Sequence, residues 1–167
     1  MKKKREKAVA ELNNQGIRIS KNEININILK WIEENSVDGY YQIPMIPAIY
    51  LLKKGYLKIY EGGEEVSLEK LLSIASKKDR HVLAKLIVFE NLIRRGYYVR
   101  NIDEGVMEVY SSVAGKKKYN LIVIDEGHSI DIDKIYELTK TSEIIIAIVE
   151  RRGGITYYAT SQFGRGE

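Results

Sequence analysis

The chain has 167 residues, enough for one compact domain or two small ones, and its 44% hydrophobic and 30% charged content excludes a disordered chain. Its formal charge of +4 is compatible with phosphate contact without arguing for it. The absence of cysteine excludes disulfides, thiolate zinc sites and cysteine nucleophiles.

The start, Met1 to Lys7, is basic but is followed by no apolar stretch, so no signal peptide is expected. No apolar run approaches the roughly 20 residues that span a bilayer, so a cytoplasmic protein without membrane contact is expected. Ala8, Val9 and Leu12 at helical spacing predict a helix over residues 2–14, ended by Gly16. Ile17 and Ile19, then Ile24, Ile26 and Ile28, alternate with polar residues and predict strands. Trp31 and Ile32 fit a short amphipathic helix ending before Gly39. Ile43 to Lys54 reads as a helix with Pro47 near its first turn, stopped by Gly55. A strand over Tyr56–Tyr60, a turn at Glu61–Glu64 and a helix from the N-cap Ser67 to about Lys77 follow.

A boundary is expected at Ser76–Asp79, dividing a domain of residues 1–78 from one of residues 79–167. Asp79 is the expected cap of a central helix carrying Val82, Leu86, Phe89 and Ile93 and closed by Gly96. Strands are predicted at Tyr97–Arg100, Val106–Tyr110 and Tyr119–Ile124. A helix over Ile132–Lys140, capped by Ser129 or Asp131, comes next. Two last strands, Glu143–Glu150 and Ile155–Gln162, flank a glycine-rich turn. The fold class is α+β: a small N-terminal α/β domain, then an α/β domain around a central mixed sheet. The richness in Ile, Lys and Glu is shared with many heat-adapted proteins.

Several segments, taken in order, carry a resemblance. Ile46 to Tyr60 (IPAIYLLKKGYLKIY) and Val66 to Leu72 (VSLEKLL) resemble a helix-turn-strand and helix of the archaeal tRNA-splicing (intron) endonuclease family. Leu92 to Arg100 (LIRRGYYVR) resembles that family's approach to its nuclease domain, and Met107–Tyr110 (MEVY) its "F-x-VY" strand. Ile144 to Val149 (IIIAIV) with Gly154 to Tyr158 (GITYY) is similar to its closing hairpin. The resemblance implies a nuclease-like second domain and a family chemistry in which Tyr, His and Lys cut pre-tRNA without a metal or other cofactor. A ribose 2′-OH attacks the neighbouring phosphate, leaving a cyclic phosphate and a 5′-OH, which needs a base, an acid and a cation.

On this chain the family Tyr falls on Tyr110, the family His on Lys117, and the family Lys on Ser142, with Lys140 two residues away. A phosphate-gripping Arg of the family falls near Ile135. Lysine, with an ordinary pKa of roughly 10.4, is a poor proton shuttle near neutrality, and serine carries no charge for the transition state. The resemblance therefore implies a structural subunit of a heterotetramer with no catalytic residues of its own. Its partners would be a catalytic subunit and a pre-tRNA with a bulge-helix-bulge. The acidic residues Asp125, Glu126, Asp131 and Asp133 would dock onto a neighbouring subunit, although Asp131 and Asp133 also suit helix capping. Tyr157, Tyr158 and Phe163 would lie on the strand that pairs with the partner.

Two alternatives stand beside this reading: an active nuclease using Tyr110, Lys117 and His128, and a general RNA-binding assembly protein. His128 reads as a solvated loop residue, His81 as a helix-surface residue, and the two form no recognisable metal site. Lys116–Lys118 reads as a solvated turn, and Tyr110, without its partners, as a packing or RNA-contact residue.

Overall fold

The computed structural model describes residues 7–32, 36–100, 102, 105–140 and 143–160. The fold is α+β, with helices and two mixed sheets. The chain divides into two compact units, residues 1–80 and 81–167.

The first unit opens with β1 (Ala8–Asn13) and β2 (Gly16–Ser20), not with the expected helix. Ala8, Ala10 and Leu12 are buried while Val9 and Glu11 are exposed. Ala8 and Leu12, four apart, satisfy a helix and a strand equally; Val9, which would join them on a helical face, points out and decides for the strand. The expected Ile24–Ile28 strand is likewise replaced, by a 3-10 turn at Lys21–Glu23 and a one-turn helix α1 (Ile26–Leu29). The reason is capping chemistry: Ser20 accepts from the Asn22 N–H and Asn25 from the Asn27 N–H, each ending extended chain. Ile28 is buried and Ile26 is 85% exposed, so the apparent alternation was fortuitous.

The expected helix around Trp31 stops at Leu29, and β3 (Ser36–Val37) and β4 (Tyr40–Ile43) form a hairpin in the region before and after Gly39. Asp38 and Gly39 both take positive φ (51° and 80°), the primed-turn geometry that an Asp-Gly pair favours. Helix α2 (Met45–Lys53), β5 (Leu57–Glu61) and α3 (Leu68–Lys78) follow as the sequence predicts, while Glu61 and Glu64 of the expected turn pair instead, the latter opening a short β6 (Glu64–Glu65). Ser67 caps α3 by accepting from the Lys70 N–H at 3.1 Å. The sheet runs β3-β4-β2-β1-β5-β6, with the β1–β5 pair parallel. Its core gathers Ile17, Ile19, Leu57 and Ile59 with Ile46, Ile49 and Leu51 of α2, each buried side chain contributing about 1.5–3 kcal/mol over exposure.

The second unit begins with α4 (Val82–Arg94). Asp79 does not cap it: Asp79 closes α3, its N–H bonding the Ala75 carbonyl, and His81 holds the N-cap position of α4 without a side-chain cap. The strands β7 (Tyr98–Arg100), β8 (Met107–Tyr110), β9 (Lys117–Asp125), β10 (Ile144–Val149) and β11 (Ile155–Thr160) form one sheet in the order β11-β10-β9-β8-β7. Among its described strands only β9 and β10 are parallel, and α5 (Ile132–Thr139) provides the crossover between them. Asp131 caps α5 by accepting from the Asp133 N–H at 2.9 Å. On α4, Val82, Phe89 and Leu92 are buried, as are Val99, Met107, Val109, Leu121 and Ala147 of the sheet. No described helix is long and apolar enough to cross a membrane.

Candidate functional site

Strand register decides which side chains meet. Residues two apart share a sheet face, so Glu108 and Tyr110 of β8 lie together, opposite the face of buried Met107 and Val109. Across the β7–β8 pair, Arg100 is opposite Glu108 and Tyr98 opposite Tyr110; across β8–β9, Tyr110 is opposite Lys117, with a bulge at Val109/Tyr110. Backbone pairing alone therefore brings Tyr98, Arg100, Glu108, Tyr110 and Lys117 to one place.

Glu108 is the centre of that group, and the sequence reading did not single it out. Its Oε2 accepts from the Tyr110 hydroxyl at 3.0 Å and its Oε1 from Lys117 Nζ at 2.8 Å. The Lys117 hydrogen bond holds the Glu108 carboxyl below its ordinary range, with help from Tyr110 and the nearby Arg100 charge against the cost of burial. Partial burial, followed by the bond to Glu108, pushes the Tyr110 phenol up from 10.0. A base needs its proton to leave easily; this phenol keeps it. The Arg100 guanidinium sits 5.2 Å from the Tyr110 ring centre and 5.5 Å from that of Tyr98, a cation–π arrangement that further fixes both rings.

Of the predicted triad positions, Tyr110 and Lys117 are thus brought together, through a carboxylate. Ser142 lies outside the described residues; the strand after it starts at Ile144 beside Asn120, near the Lys117 end of β9. Lys140 is engaged on its own helix, 2.6 Å from Glu137 and over the Tyr136 ring. Ile135 is a partly buried residue of α5.

The histidines are at the other end of the sheet. Asp125 ends β9, eight residues beyond Lys117, which is about 26 Å along an extended strand. There His81 Nδ1 lies 2.8 Å from Asp125 Oδ2, with both side chains about a quarter exposed. An ionised carboxylate only accepts, so the ring N–H is the donor. The exposed His128 ring meets His81 edge-on, with ring centres 5.3 Å apart. His81 is therefore a tie between α4 and the 125–128 loop, not the plain helix-surface residue expected. Among the described residues no group of His, Asp and Glu is arranged to hold a metal ion.

The acidic residues expected to dock onto a partner already have contacts within the chain. Besides Asp125, Glu126 accepts the Arg151 N–H at 2.9 Å, and its own N–H bonds the Val149 carbonyl at 2.8 Å. Asp133 is exposed in the first turn of α5. On β11, an edge strand, Tyr157 turns toward α4: its hydroxyl donates to Asn91 Oδ1 at 2.9 Å, and Arg95 covers its ring at 5.4 Å. Tyr158 faces the other way and is 54% exposed. Phe163 lies outside the described residues.

Comparison with known proteins gives one consistent result. The chain is 27% identical over 123 residues to the tRNA-splicing endonuclease of Pyrococcus furiosus, covering 70% of this chain and 72% of that protein. Its homologues are archaeal tRNA-splicing endonucleases. With that of Sulfurisphaera tokodaii it shares 29% over 142 residues, 80% of this chain and 79% of the relative. With that of Thermococcus onnurineus it shares 37% over a shorter 65 residues, 39% and 38% of the two chains. No family model matches the chain.

Proposed function

We propose that this chain acts in tRNA splicing as a structural subunit of a heterotetrameric endonuclease, with a catalytic subunit as partner and bulge-helix-bulge pre-tRNA as substrate. Similarity to tRNA-splicing endonucleases supports the process. The observation that carries the non-catalytic role is the use of Tyr110 and Lys117 to hold Glu108. The hydroxyl that would serve as base is bound as a donor, and the lysine that replaces the acid is neutralised by an ion pair. Loss of one charge-stabilising group costs about 10²–10³ in rate, so a site with Lys117 and Ser142 in place of the family His and Lys has little left.

The alternative of a displaced triad through His128 requires a proton donor from the far end of β9, about 26 Å of strand away from Lys117. A general RNA-binding role is the remaining alternative, and would show equal affinity for unrelated RNAs.

In this proposal β11 pairs with a strand of the catalytic subunit, and the 125–133 region docks onto the second dimer. Exposed Ile132 and Tyr136 on α5 and Tyr158 on β11 supply apolar area for such contacts. The test is cleavage of a bulge-helix-bulge pre-tRNA without added metal, by this chain alone and mixed with a triad-bearing subunit. Cleavage only in the mixture is expected; efficient cleavage by the chain alone would sink the proposal. Docking is tested in the same mixture with Asp125→Asn and Glu126→Gln, which remove charge while keeping hydrogen-bonding shape. Loss of the tetramer by light scattering is the expected result.

A further inference from the structure

We infer that Arg100, Tyr110 and Lys117 form a latent phosphate site that Glu108 keeps closed. Three donors of the kinds that grip a phosphodiester converge on one sheet face, placed there by strand register rather than by flexible loops. What sits between Tyr110 and Lys117, beside Arg100, is a carboxylate, itself an oxyanion. Its two oxygens take the Tyr110 hydroxyl at 3.0 Å and the Lys117 ammonium at 2.8 Å, as two oxygens of a phosphate would. Glu108 is thus a built-in anion. It satisfies Tyr110 and Lys117, cancels one of the two positive charges, and repels an incoming phosphate.

The inference rests on the RNA-processing reading for its ligand class, but its geometry does not depend on it. It also adds something to that reading. Substituted triad positions explain why the chain does not cut RNA; an occupied anion position explains why it should not hold the scissile phosphate either. Such a chain would leave the phosphate to the catalytic subunit.

The experiment measures binding of a bulge-helix-bulge RNA by the full chain at low salt, and of inorganic phosphate by ³¹P resonance broadening. Glu108→Gln keeps the side-chain shape and removes the charge. Freeing one exposed ion pair corresponds to an affinity gain of about twofold to fivefold. Lys117→Ala added to Glu108→Gln should erase that gain, because the gain comes from the lysine that Glu108 neutralises. A gain for RNA alone assigns the site to the nucleic-acid backbone, and a gain for phosphate alone to the free anion; either supports a closed site. Unchanged or weaker binding of both probes by Glu108→Gln overturns it, as does a gain that survives the added Lys117→Ala. Should Glu108→Gln fail to melt cooperatively, Glu108→Ser, which also removes the charge, is read in the same way. Cleavage in the mixture, read in parallel, tests the subunit role separately.

Discussion

The two ends of the second unit's sheet use the same device for different purposes. At the Tyr110 end, Glu108 draws in two side chains from its own and the neighbouring strand. At the Asp125 end, carboxylates tie down elements distant in sequence: Asp125 to His81 across 44 residues, and Glu126 to the Arg151 amide across 25. The first arrangement quiets a surface; the second shapes a loop. A cluster within neighbouring strands that includes an exposed lysine changes little when that lysine is lost, while a tie such as His81–Asp125 joins partly buried groups far apart in the chain. The contrast predicts a graded series of effects.

The largest effect should come from the turn that feeds the Tyr110 end. A Cβ on Gly115 would overlap Ser111 Oγ and approach the Ser112 backbone nitrogen to 2.6 Å. The Ser111 N–H to Lys116 carbonyl bond would have to yield, and with it the placement of Lys117. Gly115→Ala should cost about 1–3 kcal/mol by thermal denaturation, the range for overpacking. An unchanged melting temperature would mean that this turn repacks freely and that Lys117 is not held by it.

At the other end, Asp125→Ala removes the acceptor for a partly buried imidazole and frees the loop from α4. A cost of about 1–2 kcal/mol is expected. In a domain of this size each kcal/mol corresponds to roughly 4–8 °C in Tm. His81→Ala should give a similar loss, and the double variant no more than the larger single one. Additive losses would show that the pair is not coupled. The smallest effect belongs to Lys117→Ala. Its side chain is 38% exposed, so after screening the pair is worth at most about 0.5 kcal/mol, and less at high salt. The sign with pH follows from Glu108. Its depressed pKa means that the contribution is complete above the ordinary carboxylate value, near about 4.3, and is lost as pH falls through the lower folded value.

These contrasts also explain what was legible in the sequence. Elements with an unambiguous punctuator were: Gly55 after α2, Ser67 before α3 and Gly96 after α4 mark ends that the structure keeps. The first unit's opening was misread because Ala8 and Leu12 fit two periods. It also carries polar caps, Ser20 and Asn25, inside what looked like continuous alternation. At the site, the family resemblance pointed to Tyr110 and Lys117 but passed over Glu108, which matters only through the β7–β8–β9 register. The signal was present, since a residue two before Tyr110 shares its face. Asp125 and His81 offered none, being 44 residues apart with no periodic link.

The parallel pairing of β1 with β5 sets an order of events during synthesis. Their partners lie 49 residues apart, Ala8 with Leu57, so β1 cannot complete its hydrogen bonding until α2 and β5 have left the ribosome. Until then the β1–β2 hairpin emerges with one open edge, and its apolar face lacks the α2 residues that later cover it. Chains with such distant pairings fold late and expose sticky intermediates meanwhile. The N-terminal strand lies in the interior of its sheet, so fusions or truncations reaching into Ala8–Asn13 would act on folding yield before they touched any function.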